Sequence, residues 1–163
     1  MKKKNWIPSH GGICSAYNSL QSFHSFFFFT TFFLTLNSVS TPFVKNEGAN
    51  NIRLQHMTVG STTSPSTLSD SFVISTSGSL ILSDVKITKA ELDEAPLIYT
   101  NGCTVFSLSD SSSFASITRN TGSGSVLELT VKSGDDIQIS NTHFTTCSCP
   151  SSDAVSGAIS VTF

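Results

Sequence analysis

Gly78-Ser-Leu-Ile-Leu-Ser-Asp-Val-Lys-Ile87 reads as a glycine, a short gap, two apolar residues two apart, a small polar residue, an acid and one more apolar residue. The same order returns in Gly48-Ala-Asn-Asn-Ile-Arg-Leu-Gln-His-Met-Thr-Val59, Gly102-Cys-Thr-Val-Phe-Ser-Leu-Ser-Asp-Ser-Ser-Ser-Phe114 and Gly134-Asp-Asp-Ile-Gln-Ile-Ser-Asn-Thr-His-Phe144. The glycines are 30, 24 and 32 residues apart, which points to stacked repeats rather than a closed globule.

Apolar residues two apart share one face of a strand. Each repeat glycine follows a strand-like run: Phe43-Val44, Phe72-Val-Ile74, Leu97-Ile-Tyr99 and Leu127-Glu-Leu-Thr-Val131, with Ala158-Ile-Ser-Val-Thr-Phe163 opening a fifth round. One repeat is therefore strand, glycine turn, strand, polar corner, strand and variable loop. Gly48, Gly78, Gly102 and Gly134 are expected to supply positive φ at the sharp turns. Ile52, Leu54, Leu80, Leu82, Phe106, Leu108, Ile137 and Ile139 are expected to stack inward. Arg53, Ile81, Ser107 and Gln138 then face outward. His56, Asp84, Asp110 and Asn141 each stand two residues after the second apolar position, so they form a corner ladder. Two adjacent acids in that ladder favour exposure. The third copy carries one extra serine before Phe114, which a bulge would absorb.

With Ile137-Gln-Ile-Ser-Asn-Thr-His-Phe144 as its carrying motif, the stretch 43–163 resembles the right-handed parallel β-helix proteins of the pectin lyase-like superfamily. It is also similar to the Ser/Thr-rich β-helix repeat proteins of single-celled eukaryotes. The expected fold is all-β, a right-handed parallel β-helix of about four coils. An antiparallel β-sandwich is the alternative, since short, evenly spaced strands also suit it. Four coils make a short stack, and solenoid ends need covering. With nothing after Phe163, the sequence reads as a fragment of a longer protein or one that pairs end-on.

Two parts are expected, a leader at 1–40 and coils at 41–163. Residues 1–40 carry Lys2, Lys3 and Lys4, an apolar run at 26–36 and small residues at Ser38 and Ser40, the order of a secretory signal. The run is shorter than a membrane-spanning helix and is broken by threonines. A spurious N-terminus translated from a pyrimidine-rich tract is the other reading. Localisation is accordingly expected to be secreted or cell-surface, with membrane contact only through an uncleaved leader.

Charged residues make up only 12% of the chain and hydrophobic residues 38%, which excludes a charged disordered tail. From Asn37 onward six basic residues face eleven acidic ones, so the body is acidic and nucleic acid is not an expected partner. Cys103, Cys147 and Cys149 lie in the body. They fit buried thiols, or a Cys103 bridge to one of the pair. No zinc pattern is completed.

Ser133-Gly-Asp-Asp136 is similar to the Gly-Asp-Asp motif of polygalacturonase-type glycosidases, where the resemblance would make Asp135 and Asp136 the acid and base of an inverting reaction. The other motifs of that family are missing, and a glycine–acid turn before a strand is ordinary turn chemistry. Asp93 and Glu94 sit on a loop that could offer oxygens to calcium but reads as solvated. Asn101-Gly-Cys103 is a rare form of glycosylation sequon, and no Asn-x-Ser/Thr occurs. No cofactor or metal is expected. The expected function is non-enzymatic: a β-solenoid segment of a secreted or surface repeat protein, in adhesion, glycan contact or scaffolding. Its partners would be a glycan, another protein or further coils. A remnant of a polygalacturonase-like carbohydrate-active enzyme is the alternative.

Overall fold

The computed structural model describes residues 20–21, 32–34, 38–60, 64–154 and 157–163. Among these there is no helix, and every strand pairing is parallel, so the antiparallel sandwich is excluded. The fold is a parallel β-solenoid of about four turns.

One sheet collects the strands that precede each turn: Leu20–Gln21, Val44–Asn46, Val73–Ser75, Ile98–Asn101, Leu127–Thr130 and Ile159–Thr162, stacked in chain order. The other sheet holds the longer, bent strands Asn51–Gly60, Ser79–Leu92 and Ser112–Arg119 with their shorter neighbours. Bends divide this second sheet into three further legs, so a full coil has four sides rather than the three strands the repeat suggests. The first bend lies at His56, Asp84, Asp110 and Asn141, all with positive φ. A second lies at Lys89, Ser116 and Thr146, also with positive φ, and splits off short fourth legs such as Ala90–Leu92.

The register follows the repeat. Ile52 pairs with Leu80, Leu80 with Phe106 and Phe106 with Ile137; Leu54, Leu82, Leu108 and Ile139 form the next column. Leu54, Leu80, Leu82, Phe106 and Leu108 are fully buried, while Ile52 and Ile137 are half-buried. Ile139 departs from expectation at 38% exposed. It belongs to the strand Asp136–Ile139, an outer strand of the second sheet, so no neighbouring coil covers it. Of the outward set, Gln138 is exposed, whereas Arg53, Ile81 and Ser107 are half-covered by adjacent columns.

Other columns complete the interior. Val59, Ile87, Phe114 and Phe144 share one, with the two rings stacked at 5.6 Å. The Phe43 and Phe72 rings stack at 4.9 Å and are almost parallel, contributing about 0.5–1.5 kcal/mol beyond the area they bury. Where the first leg turns into the second, the interior becomes polar. Asn46, 2% exposed, donates to Ser77 O at 2.9 Å and Asn50 O at 3.2 Å, satisfying turn carbonyls that no strand reaches.

The turn glycines are not equivalent. Gly78, Gly102 and Gly134 take positive φ, but Gly48 does not; there the turn closes through Asn50 N–H donating to Gly48 O at 2.7 Å. At Gly78 an added Cβ would stand 2.1 Å from Asn50 O of the preceding coil, so close stacking as well as φ requires glycine.

The extra residue of the third copy is absorbed at its corner, where Asp110 and Ser111 both take positive φ and pairing resumes at Ser112–Thr142. Ser112, completely buried, accepts from Val85 N–H at 3.1 Å and donates to Ser109 O at 2.6 Å, repairing the backbone pairing that the bulge interrupts.

Within the segment read as a leader, Phe32–Leu34 pairs in parallel with Met57–Val59, and Ser38–Val39 with Thr67–Leu68. The described part of that segment thus lies in the position of an outer coil. The lysines, Cys14 and most of the apolar run at 26–36 fall outside the described residues.

Candidate functional site

The first corner is where the sequence places its most regular polar residues. A non-glycine residue with positive φ is uncommon, and Asn, Asp and His tolerate it best because their short polar side chains bond locally. His56 at φ 52°, Asp84 at 51°, Asp110 at 56° and Asn141 at 44° therefore recur for a backbone reason. Their side chains do not form one continuous ladder. His56 Nδ1 lies 2.9 Å from Asp84 Oδ2, and Lys86 Nζ lies 2.8 Å from Asp84 Oδ1. The Lys86 ammonium and the His56 ring hold the Asp84 carboxyl below its ordinary value. Asp110 accepts from the hydroxyls of Ser83 at 2.6 Å and Ser109 at 3.1 Å, which lower its pKa. Asn141 donates to Ser111 Oγ at 3.3 Å. The repulsion between these neighbouring acids is thus offset by the Lys86 charge on Asp84 and by hydroxyl donors on Asp110. His56, Asp110 and Asn141 are exposed and Asp84 is half-buried.

The aspartate pair lands on a turn. Asp135 Oδ2 accepts from Lys132 N–H at 2.7 Å, and Asp135 N–H returns a bond to Lys132 O. Asp136 begins a strand, is exposed, and accepts from Gln138 Nε2 at 3.1 Å. Its partner in the adjacent coil is Val105, and beyond that Ser79, so the register brings no second acid, histidine or arginine to it.

The loops that follow the fourth legs of three successive coils form an open depression lined by Ser69, Asp93, Glu94, Asn120 and Thr121. Its oxygens are tied to one another: Asn120 Nδ2 donates to Asp93 Oδ1 at 3.2 Å, and Thr121 Oγ1 to Asp93 O at 3.1 Å. Among the described residues no three His, Cys, Asp or Glu side chains come together as a metal site. Beneath these loops lies Arg119, which the sequence left without a role. It is 7% exposed, in register with Leu92 and Leu68, and its guanidinium binds the carbonyl of Glu94, that of Ser123 and the carboxylate of Glu128. This is a structural bolt between two loops.

Cys103, Cys147 and Cys149 are free thiols, and the proposed Cys103 bridge is not formed. Burial pushes all three above the ordinary thiol value.

What remains available are the faces. One outward column runs Thr58, Lys86, Ser113, His143; its neighbour runs Gly60, Thr88, Ala115, Thr145. The first-leg face carries Lys45, Ile74, Tyr99, Glu128 and Ser160 in register. These columns repeat every coil, about 4.8 Å apart, and present hydroxyls, the ammonium groups of Lys45 and Lys86, the Glu128 carboxylate and the His143 imidazole. Among the described residues no helix is long and apolar enough to cross a membrane. Comparison with models of protein families, with curated proteins and with solved structures returned no match.

Proposed function

We propose that this chain is a non-enzymatic segment of a secreted or cell-surface repeat protein, a right-handed β-solenoid of the pectin lyase-like kind, that works through its long faces. Its role is adhesion, glycan contact or scaffolding, and its partner is a glycan or another protein laid along the columns, with further coils stacking on the open edge. The observation that supports this most directly is the distribution of polar side chains: they stand in register over several coils instead of converging on one point. Solenoids present such extended surfaces as binding faces. The Asp135 carboxylate closes its own turn, and Asp136 has no acid beside it in register. Fold alone conveys no activity, so the reading rests on the surface.

The test is binding of the chain to a glycan panel and to intact cells, with Lys86→Glu and Ser113→Glu on the third-leg face beside wild type. Binding that both changes abolish, with the fold intact by circular dichroism, is the expected result. Release of reducing sugar from homogalacturonan, lost in Asp136→Asn, would overturn the reading in favour of an enzyme.

A further inference from the structure

We infer that Asn101 is an N-glycosylation site, taking its glycan from a polyprenyl-pyrophosphate-linked oligosaccharide. The inference rests on the secreted reading above, because the transferase that uses such donors meets only chains entering the secretory pathway. Asn101-Gly-Cys103 is the only place in the 163 residues where an asparagine is followed two positions on by serine, threonine or cysteine. The reaction needs an amide nitrogen as nucleophile and a small hydrogen-bonding side chain two residues later. A thiol fills that second position only when it is not in a disulfide, and Cys103 is free.

The folded chain also leaves room for the product. Asn101 ends the strand Ile98–Asn101 and is exposed, and Gly102 with φ 101° turns the backbone sharply behind it. Alternation sends Thr100 inward, where it is 1% exposed, and puts Tyr99 and Asn101 on the same outer face. The Asn101 Nδ2 donates to the Tyr99 hydroxyl at 3.3 Å, so a large ring lies beside the atom that would carry the first sugar. An aromatic ring offers an apolar platform with a polar handle, suited to the apolar face of a sugar. Transfer precedes folding, while Cys103 is still accessible; folding then buries the thiol to 1% exposure and leaves the amide outside.

The step balances simply. A bond forms between Asn101 Nδ2 and sugar C1 as the C1–O bond to pyrophosphate breaks. The lipid pyrophosphate leaves with the electron pair, the amide proton passes to a base on the transferase, and nothing is oxidised. A glycan there covers the first-leg face around Tyr99 and reserves the second- and third-leg faces for contact.

The test expresses the full chain in a eukaryotic host, once with its own N-terminus and once behind a foreign cleavable secretion signal. Glycan is read on total chain, cells plus medium, as a glycosidase-sensitive mobility step and as conversion of Asn101 to Asp in the released peptide, so a variant need not fold to be scored. Under the foreign signal one glycan is expected. It should be absent in Asn101→Gln and Cys103→Ala and retained in Cys103→Ser. A chain that enters the pathway with Asn101 unmodified overturns the inference, as does a glycan that persists in Asn101→Gln. Modification under the foreign signal alone supports the site while sinking the secreted reading, which separates the two.

Discussion

Arg119 Nη1 lies 2.7 Å from Glu128 Oε2, across the loop that carries the chain from one coil to the next. The arginine occupies a column otherwise filled by Leu68 and Leu92, so its charge is tolerated only because carbonyls and one carboxylate surround it. Arg119→Met keeps the volume but strips the partners from the carbonyls of Glu94, Ser123 and Gly124. A loss on the order of 2–4 kcal/mol in denaturant unfolding is expected. A neutral result would show that water replaces the guanidinium.

The interior columns predict a graded response. Leu82→Ala, at a site 1% exposed, should cost roughly 2–5 kcal/mol. Ile139→Ala, two positions further along the same column and 38% exposed, should cost well under half of that. Gln138→Ala should be nearly silent. Equal losses at Leu82 and Ile139 in urea unfolding would mean that the outer coil is covered.

Two glycines make opposite predictions despite sharing a place in the repeat. An alanine at Gly78 meets Asn50 O and should prevent folding or lower the melting temperature severely. At Gly134 an added Cβ meets nothing within 4 Å, so Gly134→Ala carries only the positive-φ cost of about 1–2 kcal/mol. Thermal melts of the two variants check the contrast.

The corner pair predicts a pH dependence with a definite sign. The Asp84 carboxyl sits below its ordinary value of 3.8 because Lys86 and His56 bind it. A depressed folded pKa contributes stability that is fully present above the unfolded value and is lost as pH falls through the folded one. Acid titration should therefore show a small, salt-sensitive loss below about pH 4, absent in Asp84→Asn. The loss should be small because His56 and Lys86 are solvent-exposed and Asp84 is only half-buried, so water screens the pairing.

Thiol chemistry should report coil order. Cys103 is 1% exposed, whereas Cys147 and Cys149 are half-buried. Native-state alkylation should modify the latter two first and reach Cys103 only on global unfolding. Early labelling of Cys103 would contradict the buried position.

Much of this architecture was legible in the sequence, and its omissions have physical causes. The inward columns were readable because alternation and the repeat period leave one register that buries Leu80, Leu82, Phe106 and Leu108 together. The first corner was readable too, but for another reason than side-chain stacking: Asp, Asn and His recur because the backbone there is left-handed. The second corner was invisible, since Lys89, Ser116 and Thr146 are not residue types that announce positive φ. Arg119 was missed because its partners are mostly carbonyls, which sequence does not mark. The pairing of Phe32–Leu34 with Met57–Val59 was not legible, because an apolar run looks the same whether it meets a membrane or another strand.

Ser111 shows how such a chain tolerates change in length. An additional residue in mid-strand would invert every following side chain, exchanging inside for outside until the coil closed. Placed at a bend, it alters two backbone angles, and a single buried hydroxyl at Ser112 makes good the lost pairing. Insertions and deletions are thereby sorted by position: forbidden along the legs, nearly free at the bends and loops. The unequal glycine spacings within this one chain are such differences in coil length, accommodated while the inward columns keep their register.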